Sequence, residues 1–302
     1  MLGLVTADVA RSLDPDLEPF ASACRDRMGA DLVRIVSWDD PRVDWSEFDA
    51  VVIRSTWDYT DRLGEFLTWT ARVDAVTRLV NGLDAVRWSA DKTYLAQLSA
   101  AGIPIVPTTF VEPAGEVSPV EGLHVVKPTV GAGSSGARRC EPDEVDAHVR
   151  LLHGQGRTAM IQPYLHRLDE LGESALCYVP GVDDGLELSH VFRKAAILTS
   201  TEVEQEGDLF AKEEISSRDV TDAERALGEA VLDTDVVRAL TDVAFARVDI
   251  APFVDSTGAE SLVVMEVELI EPSFFLHTAP GSAEFFADRL VSRLGLGSGN
   301  GG

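Results

Sequence analysis

The sequence predicts a mixed α/β protein: a parallel α/β region first, then a larger α+β region of mostly antiparallel strands. Three observations carry this. Up to about residue 104, short apolar runs alternate with amphipathic ones, the pattern of βαβ units. Beyond that point short β-branched runs follow one another, and one clear helical pattern interrupts them. Near the C-terminus two apolar strands, 243–250 and 261–265, flank a turn at 255–258 and carry a cluster of charged residues.

Composition narrows the function classes. A chain of 302 residues with 45% hydrophobic content can bury a full core in one large or several small domains. A formal charge of −25 argues against binding nucleic acid or anionic membranes. No apolar run approaches the roughly 18 residues of a membrane span, and the N-terminus reaches an acid too early for a signal peptide. Cys24, Cys140 and Cys177 match no metal or redox spacing, so free thiols in a cytoplasmic protein are expected. Lysine is confined to Lys92, Lys127, Lys194 and Lys212 in a chain that otherwise uses arginine, which marks these four for a compact point charge.

In order, residues 2–7 read as a buried strand, 16–28 as a helix, and 32–37 and 50–54 as strands. A long helix to about 77 and a short strand at 78–80 follow. Ligands of parallel sheets gather beyond the C-terminal ends of the strands, which singles out Arg54, Ser55, Thr56 and Trp57. A helix cap beside a packed aromatic is the competing reading. A helix over 89–98 would hold Lys92 in its first turn, where a cation opposes the helix dipole but can reach a bound phosphate.

Strands are then expected at 108–111, 123–127, 158–163, 174–179 and 186–192, with a helix at 142–152. The strand at 123–127 delivers Lys127 into a loop holding Gly131, Gly133, Ser134, Ser135 and Gly136. Glycines there let backbone N–H groups converge on an anion; a plain turn is the alternative. Because the lysine precedes the glycines this is no Walker loop, and no dinucleotide fingerprint follows. Gln162, Pro163, Tyr164 and Leu165 end the next strand. Glu173 opens another, either as a ribose-binding carboxylate or as a solvated acid. His190, Arg193 and Lys194 end a further strand, and His190 reads as structural. Residues 200–219 lack periodicity and predict a mobile loop, 222–232 and 282–294 predict helices, and 296–302 a disordered tail.

On extended strands Arg247 and Asp249 share one face, as do Glu266 and Glu268, with Glu271 close behind. Pairing the strands would gather three hard oxygen ligands beside an arginine, a set suited to Mg²⁺ or Mn²⁺ rather than zinc. A polar rim on a very acidic protein is the plainer reading.

The order of these features resembles the ATP-grasp superfamily, in particular the D-alanine–D-alanine ligase and glutathione-synthetase-like ligases. It runs from the lysine-bearing helix through the Val-Lys-Pro strand with its Gly/Ser loop, Gln162-Pro-Tyr164 and Gly172-Glu173 to the Arg-Val-Asp and Glu-x-Glu strands. The likeness covers nearly the whole chain and is strongest over 88–273. The stretches Arg54–Tyr59 and Glu268–Ser273 resemble a bacterial subgroup that includes a cyclo-ligase closing the cycloserine ring from O-ureido-serine. The resemblance implies an ATP-grasp fold with an N-terminal α/β domain (1–104), two ATP-clamping subdomains (105–190 and 191–295) and a tail (296–302).

It further implies ATP held by Lys92, Lys127, Lys194, the 131–136 loop, Gln162 to Leu165 and Glu173. Asp249, Glu266 and Glu268 would hold two Mg²⁺ ions, with Mn²⁺ as substitute. Arg247, Lys127 and Lys194 would act in phosphoryl transfer, and 200–219 would form part of a lid. The family commonly has Asn where Glu268 stands. Arg54, Ser55, Thr56, Trp57 and Ser273 would meet a small amino-acid-like carboxylate. The implied activity joins a carboxylate to a nitrogen nucleophile through an acylphosphate. Ring closure is its leading version and intermolecular amino-acid or dipeptide ligation the second; a nucleotide-binding module without turnover is the rival from a different class, and a homodimer is a further expectation. A Rossmann dehydrogenase would need a Gly-rich turn after the first strand, and Thr6-Ala-Asp-Val-Ala10 offers none.

Overall fold

A computed structural model describes residues 1–183, 185–198, 205–206, 210–211 and 214–297. Leu2–Thr6 (β1) and Ala50–Ser55 (β3) are buried along their whole length, because each is covered on both faces. With Val33–Ser37 (β2) and Arg78–Val80 (β4) they form a parallel sheet in the order β2-β1-β3-β4. Leu17–Met28 (α1) and Leu63–Asp74 (α2) are its long helices, each turning an apolar stripe inward. Phe20 of α1 stacks on Phe286 at 4.5 Å, and Phe286 stacks on Phe274 at 5.1 Å, so the first helix packs on the last, Ser282–Leu294 (α9). Burying each of these rings contributes about 2 kcal/mol.

The expected helix over 89–98 is two helices instead, Leu83–Ser89 (α3) and Tyr94–Ala100 (α4). Asp91 accepts a hydrogen bond from the Thr93 N–H at 2.9 Å and so turns the chain between them. Ser89 caps nothing. Its hydroxyl donates to the Val267 carbonyl and accepts from the Leu269 N–H, which ties α3 to the C-terminal hairpin. Lys92 therefore lies in a turn and not in the first turn of a helix.

Two antiparallel sheets follow. The first has the order β5-β8-β6-β7, from Thr109–Val111 (β5), His124–Pro128 (β6), Arg138–Cys140 (β7) and Ala159–Pro163 (β8), with Val145–Gly154 (α5) packed against it. The second places Glu173–Pro180 (β9) and Leu186–Lys194 (β10) beside the predicted hairpin. Gln205–Glu206 (β11) and Phe210–Ala211 (β12) pair with each other. Ile215–Ser217 (β13), Ala246–Val254 (β14) and Glu260–Glu268 (β15) complete the order β13-β10-β9-β14-β15. Strand β7, the short helix Leu168–Leu171 (α6) and β13 have too few residues to show a period. β13 corrects the expected loop at 200–219: its backbone completes a ladder with Phe192–Lys194. Much of the rest of that segment, Lys212 included, and residues 298–302 lie outside the described residues. Asp222–Leu232 (α7) matches the helix expected at 222–232 and opens with a capping box formed by Thr221 and Glu224.

Buried polar side chains fasten the parallel sheet to the hairpin. Asn81, left-handed at φ 58°, donates to the carbonyls of Phe245 and Leu269 and accepts from the N–H groups of Ala244 and Phe245. Asp16 accepts from the N–H groups of Phe274, Phe275 and Leu276 at 2.7–2.8 Å. Four of these seven bonds set where the segment after β15 runs, and the other three hold Ala244 and Phe245, just before β14.

Candidate active site

In the hairpin Arg247 pairs with Glu268 and Asp249 with Glu266, so the antiparallel register alone makes these side chains neighbours. One oxygen from each of Asp249, Glu266 and Glu268 falls within 4.8 Å of the others. Cations answer them. Arg247 forks onto Asp249 at 2.8 and 2.9 Å, reaches Glu268 at 2.5 Å, and donates to the Ser273 carbonyl at 2.9 Å. Lys194 bridges Asp249 at 2.8 Å and Glu173 at 3.1 Å. Lys92 meets Glu266 at 3.0 Å and the Gly131 carbonyl at 2.6 Å.

These charges set the titration of the acids. Burial alone would raise Asp249, but Arg247 and Lys194 hold it well below the ordinary carboxylate range. Burial likewise opposes ionisation of Glu266, and Lys92 and Lys127 more than offset it. Glu268 is different. Burial, with repulsion from Glu266 and Asp249, outweighs Arg247 and pushes it up to about 7. Burial also lowers Lys127, which has no ion-pair partner among the described residues.

An all-oxygen donor set within this span fits a hard divalent cation. A cation held there displaces the proton on Glu268, so Mg²⁺ affinity is expected to strengthen as pH rises through about 7. Calorimetry in buffers of different ionisation enthalpy checks this. Glu268→Gln should abolish the proton release, and an unchanged release would remove Glu268 from the metal site.

A cavity of about 290 Å³ opens over the cluster. Lys92, Lys127, Gly131, Gly133, Ser134, Glu173, Lys194, Arg247, Glu266, Glu268, Trp57 and Ser273 all line it. An adjoining apolar slot is lined by Val125, Gln162, Pro163, Tyr164, Leu165 and Leu168 and shares Lys127, Ser134 and Glu173 with the first. The Gln162 amide is spent on Thr108 at 2.9 Å, which leaves the backbone and apolar neighbours to form that wall. Gly172 turns left-handed at φ 68° directly before Glu173, and an added Cβ would overlap the Lys194 carbonyl oxygen.

Other expected site residues lie elsewhere. Asp249 is 1% exposed and sits beneath the cavity, reached through Arg247 and Lys194. Ser135 and Gly136 are outside the lining; the Gly136 carbonyl meets His148, and a Cβ added at Gly136 would press on the Pro128 ring at 3.2 Å. Arg54, Ser55 and Thr56 are buried in the N-terminal region and do not reach the cavity. The Arg54 guanidinium sits 5.3–5.8 Å from the rings of Phe20, Phe274 and Phe286, and Ser55 bonds Thr6. β3 is covered on both faces, so the side chains at and just beyond its end pack into the core and do not line the cavity. Tyr59, Phe275 and Glu271 line the cavity unforeseen as site residues. Glu271 and Phe275 belong to irregular backbone and Tyr59 to a single short 3-10 helix, Trp57–Asp61, where no period marks a face; for Glu271 the only signal was its place three residues after Glu268.

The family described as "D-cycloserine synthetase DcsG, N-terminal domain" matches residues 2–81. The cycloserine biosynthesis protein DcsG of Streptomyces lavendulae is 35% identical over 309 residues, spanning 97% of this chain and 99% of that one. The crystal structure of D-cycloserine synthetase DcsG is similar at TM-score 0.82 and 34% identity, covering 97% of this chain and 99% of the other. The VanG D-Ala:D-Ser ligase of Enterococcus faecalis is similar in fold, with TM-score 0.65, 15% identity and 98% of each chain covered.

Proposed function

Since this chain belongs to the DcsG family of ATP-grasp proteins, we propose that it is an ATP-dependent ligase that activates a small amino-acid-type carboxylate as an acylphosphate and closes it onto a nitrogen. One observation carries this reading: Glu266, Glu268 and Arg247, with Asp249 completing an oxygen-only triad beneath them, share a single cavity with Lys92, Lys127 and Lys194. Such a site offers positioning and charge neutralisation, which is most of what phosphoryl transfer requires. Residues 105–190 and 191–295 serve as the subdomains that clamp ATP, and residues 1–104 as the N-terminal domain before them.

The adenine takes the slot between Val125 and Leu168, with Glu173 beside the ribose. Lys127, Lys92, Lys194 and the Gly131–Ser134 backbone hold the phosphates. Asp249, Glu266 and Glu268 would hold Mg²⁺, two ions with Mn²⁺ as substitute, supplying further neutralisation of the polyphosphate. Arg247 stabilises charge on the transferring phosphoryl group and on the tetrahedral adduct that follows. The substrate carboxylate attacks the γ-phosphorus and ADP leaves. The nitrogen then attacks the acyl carbon, inorganic phosphate departs, and the nitrogen loses its proton. In O-ureido-D-serine the attacking nitrogen is the one bonded to oxygen. Ring closure removes the elements of one water, and hydrolysis of the carbamoyl group then gives D-cycloserine, CO₂ and ammonia. The same reading puts the protein in the cytoplasm, where ATP is supplied. No helix among the described residues is long and apolar enough to cross a membrane.

A hydroxylamine trap tests the reading. With Mg-ATP and a panel of amino acids including O-ureido-D-serine, ADP and a hydroxamate are expected with one acid. Without hydroxylamine, a product of substrate mass less water, or less carbamic acid, identifies ring closure. A mass equal to two joined substrates less water would point to intermolecular ligation instead. ATP bound with no ADP formed from any acid would overturn the ligase reading.

A further inference from the structure

Once the lysines, Arg247, Glu173 and the triad have their roles, Glu271 is the one acidic or basic residue left among the described residues that line the cavity. It is 9% exposed, and the Tyr59 hydroxyl lies within hydrogen-bonding reach of its carboxyl. No ion pair among the described residues reaches it. Trp57, Tyr59, Ile270 and Phe275 line the same cavity and bring no positive charge. A carboxylate buried without a cationic partner is costly, and the cost is relieved by a ligand that brings the cation. Burial and repulsion from Glu268 outweigh Lys92 and Arg247 and push the Glu271 carboxyl well above the ordinary range, so an added cation is what ionises it. Glu271 shares the cavity lining with Lys92, Arg247 and Glu268. It therefore adjoins the place where the substrate carboxylate must sit to be phosphorylated.

An α-amino acid carries an ammonium group on the carbon next to that carboxylate. We infer that Glu271, oriented by Tyr59, receives this ammonium group and so selects zwitterionic amino acids over simple carboxylic acids. The inference rests on the function proposed above and adds to it the group that reads the substrate. Glu271 is a specificity-determining residue here and takes no part in the phosphoryl transfer.

The test measures calorimetric binding of O-ureido-D-serine and of its des-amino counterpart, 3-(ureidooxy)propionate, to the full chain with Mg²⁺ and a non-hydrolysable ATP analogue. Wild type is expected to prefer the zwitterion by about tenfold to a hundredfold, the range for a hydrogen bond to a charged group. Glu271→Gln should erase that preference without changing affinity for the ATP analogue, and Glu271→Asp should keep part of it. A preference that survives Glu271→Gln would overturn the inference, as would an equal loss of ATP-analogue affinity or the absence of any preference in wild type. The two readings separate on ATP turnover. ADP formed equally from both acids would sink the role of Glu271 and keep the ligase. A Glu271-dependent preference without ADP formation would keep the role of Glu271 and sink the ligase.

Discussion

Asp249→Asn is expected to lower ADP formation by about three orders of magnitude, at the upper end of what removing one electrostatic contact in an active site costs. Asp249 is the hub of the cluster. It is 1% exposed, accepts both arms of Arg247, and takes the Lys194 ammonium at 2.8 Å. Asparagine keeps the shape but removes the charge, so it weakens the cation site and leaves two buried cations short of a partner. Breaking a buried pair in this way costs about 3–5 kcal/mol, and a lower melting temperature is expected alongside the lost turnover. Circular dichroism at a temperature where the variant is folded separates the two effects. Folded Asp249→Asn protein with turnover within about threefold of wild type would remove Asp249 from the catalytic site, since even one lost active-site contact costs far more.

The second large effect is expected at Arg247. Its side chain joins both strands of the hairpin and the Ser273 carbonyl, so its fork is held in place before any substrate arrives. Arg247→Lys keeps the positive charge but loses the planar, multi-donor geometry. The expectation is a kcat lower by about a hundredfold or more with little change in KM for ATP, because the fork acts on charge that develops during transfer. Steady-state kinetics with ATP and acid varied separately would show it. A raised KM for ATP with kcat intact would instead make Arg247 a nucleotide-binding residue.

The clustered carboxylates of the hairpin were legible because their positions follow the strand period. Residues two apart on a strand share a face, and a hairpin with a recognisable turn brings two such pairs together. The bulge after Asp249 shifts the register beyond it but leaves the pairs 247–268 and 249–266 opposed. Lys127 was legible from a strand running into glycines. Lys92 was found for a reason the structure does not support. The first turn of a helix was to place it, but the Asp91 turn does so, with the Lys92 N–H held by the Thr129 carbonyl at 2.9 Å.

Arg54 shows the limit from the other side. A lone arginine at the end of a parallel strand reads as a ligand contact, yet here it is buried against Phe20, Phe274 and Phe286. Phe20 comes from the first helix and Phe286 from the last, so no local pattern could reveal that the three rings meet. Residues whose roles depend on regular backbone, namely the strands, the long helices, the hairpin and its acids, were determined by the sequence, since side-chain direction there follows a fixed period. Which groups complete the cavity was decided only by the tertiary structure. Tyr59, Glu271 and Phe275 come from segments without a period, and Asp16 and Asn81, distant in sequence, hold the chain after β15 through buried hydrogen bonds.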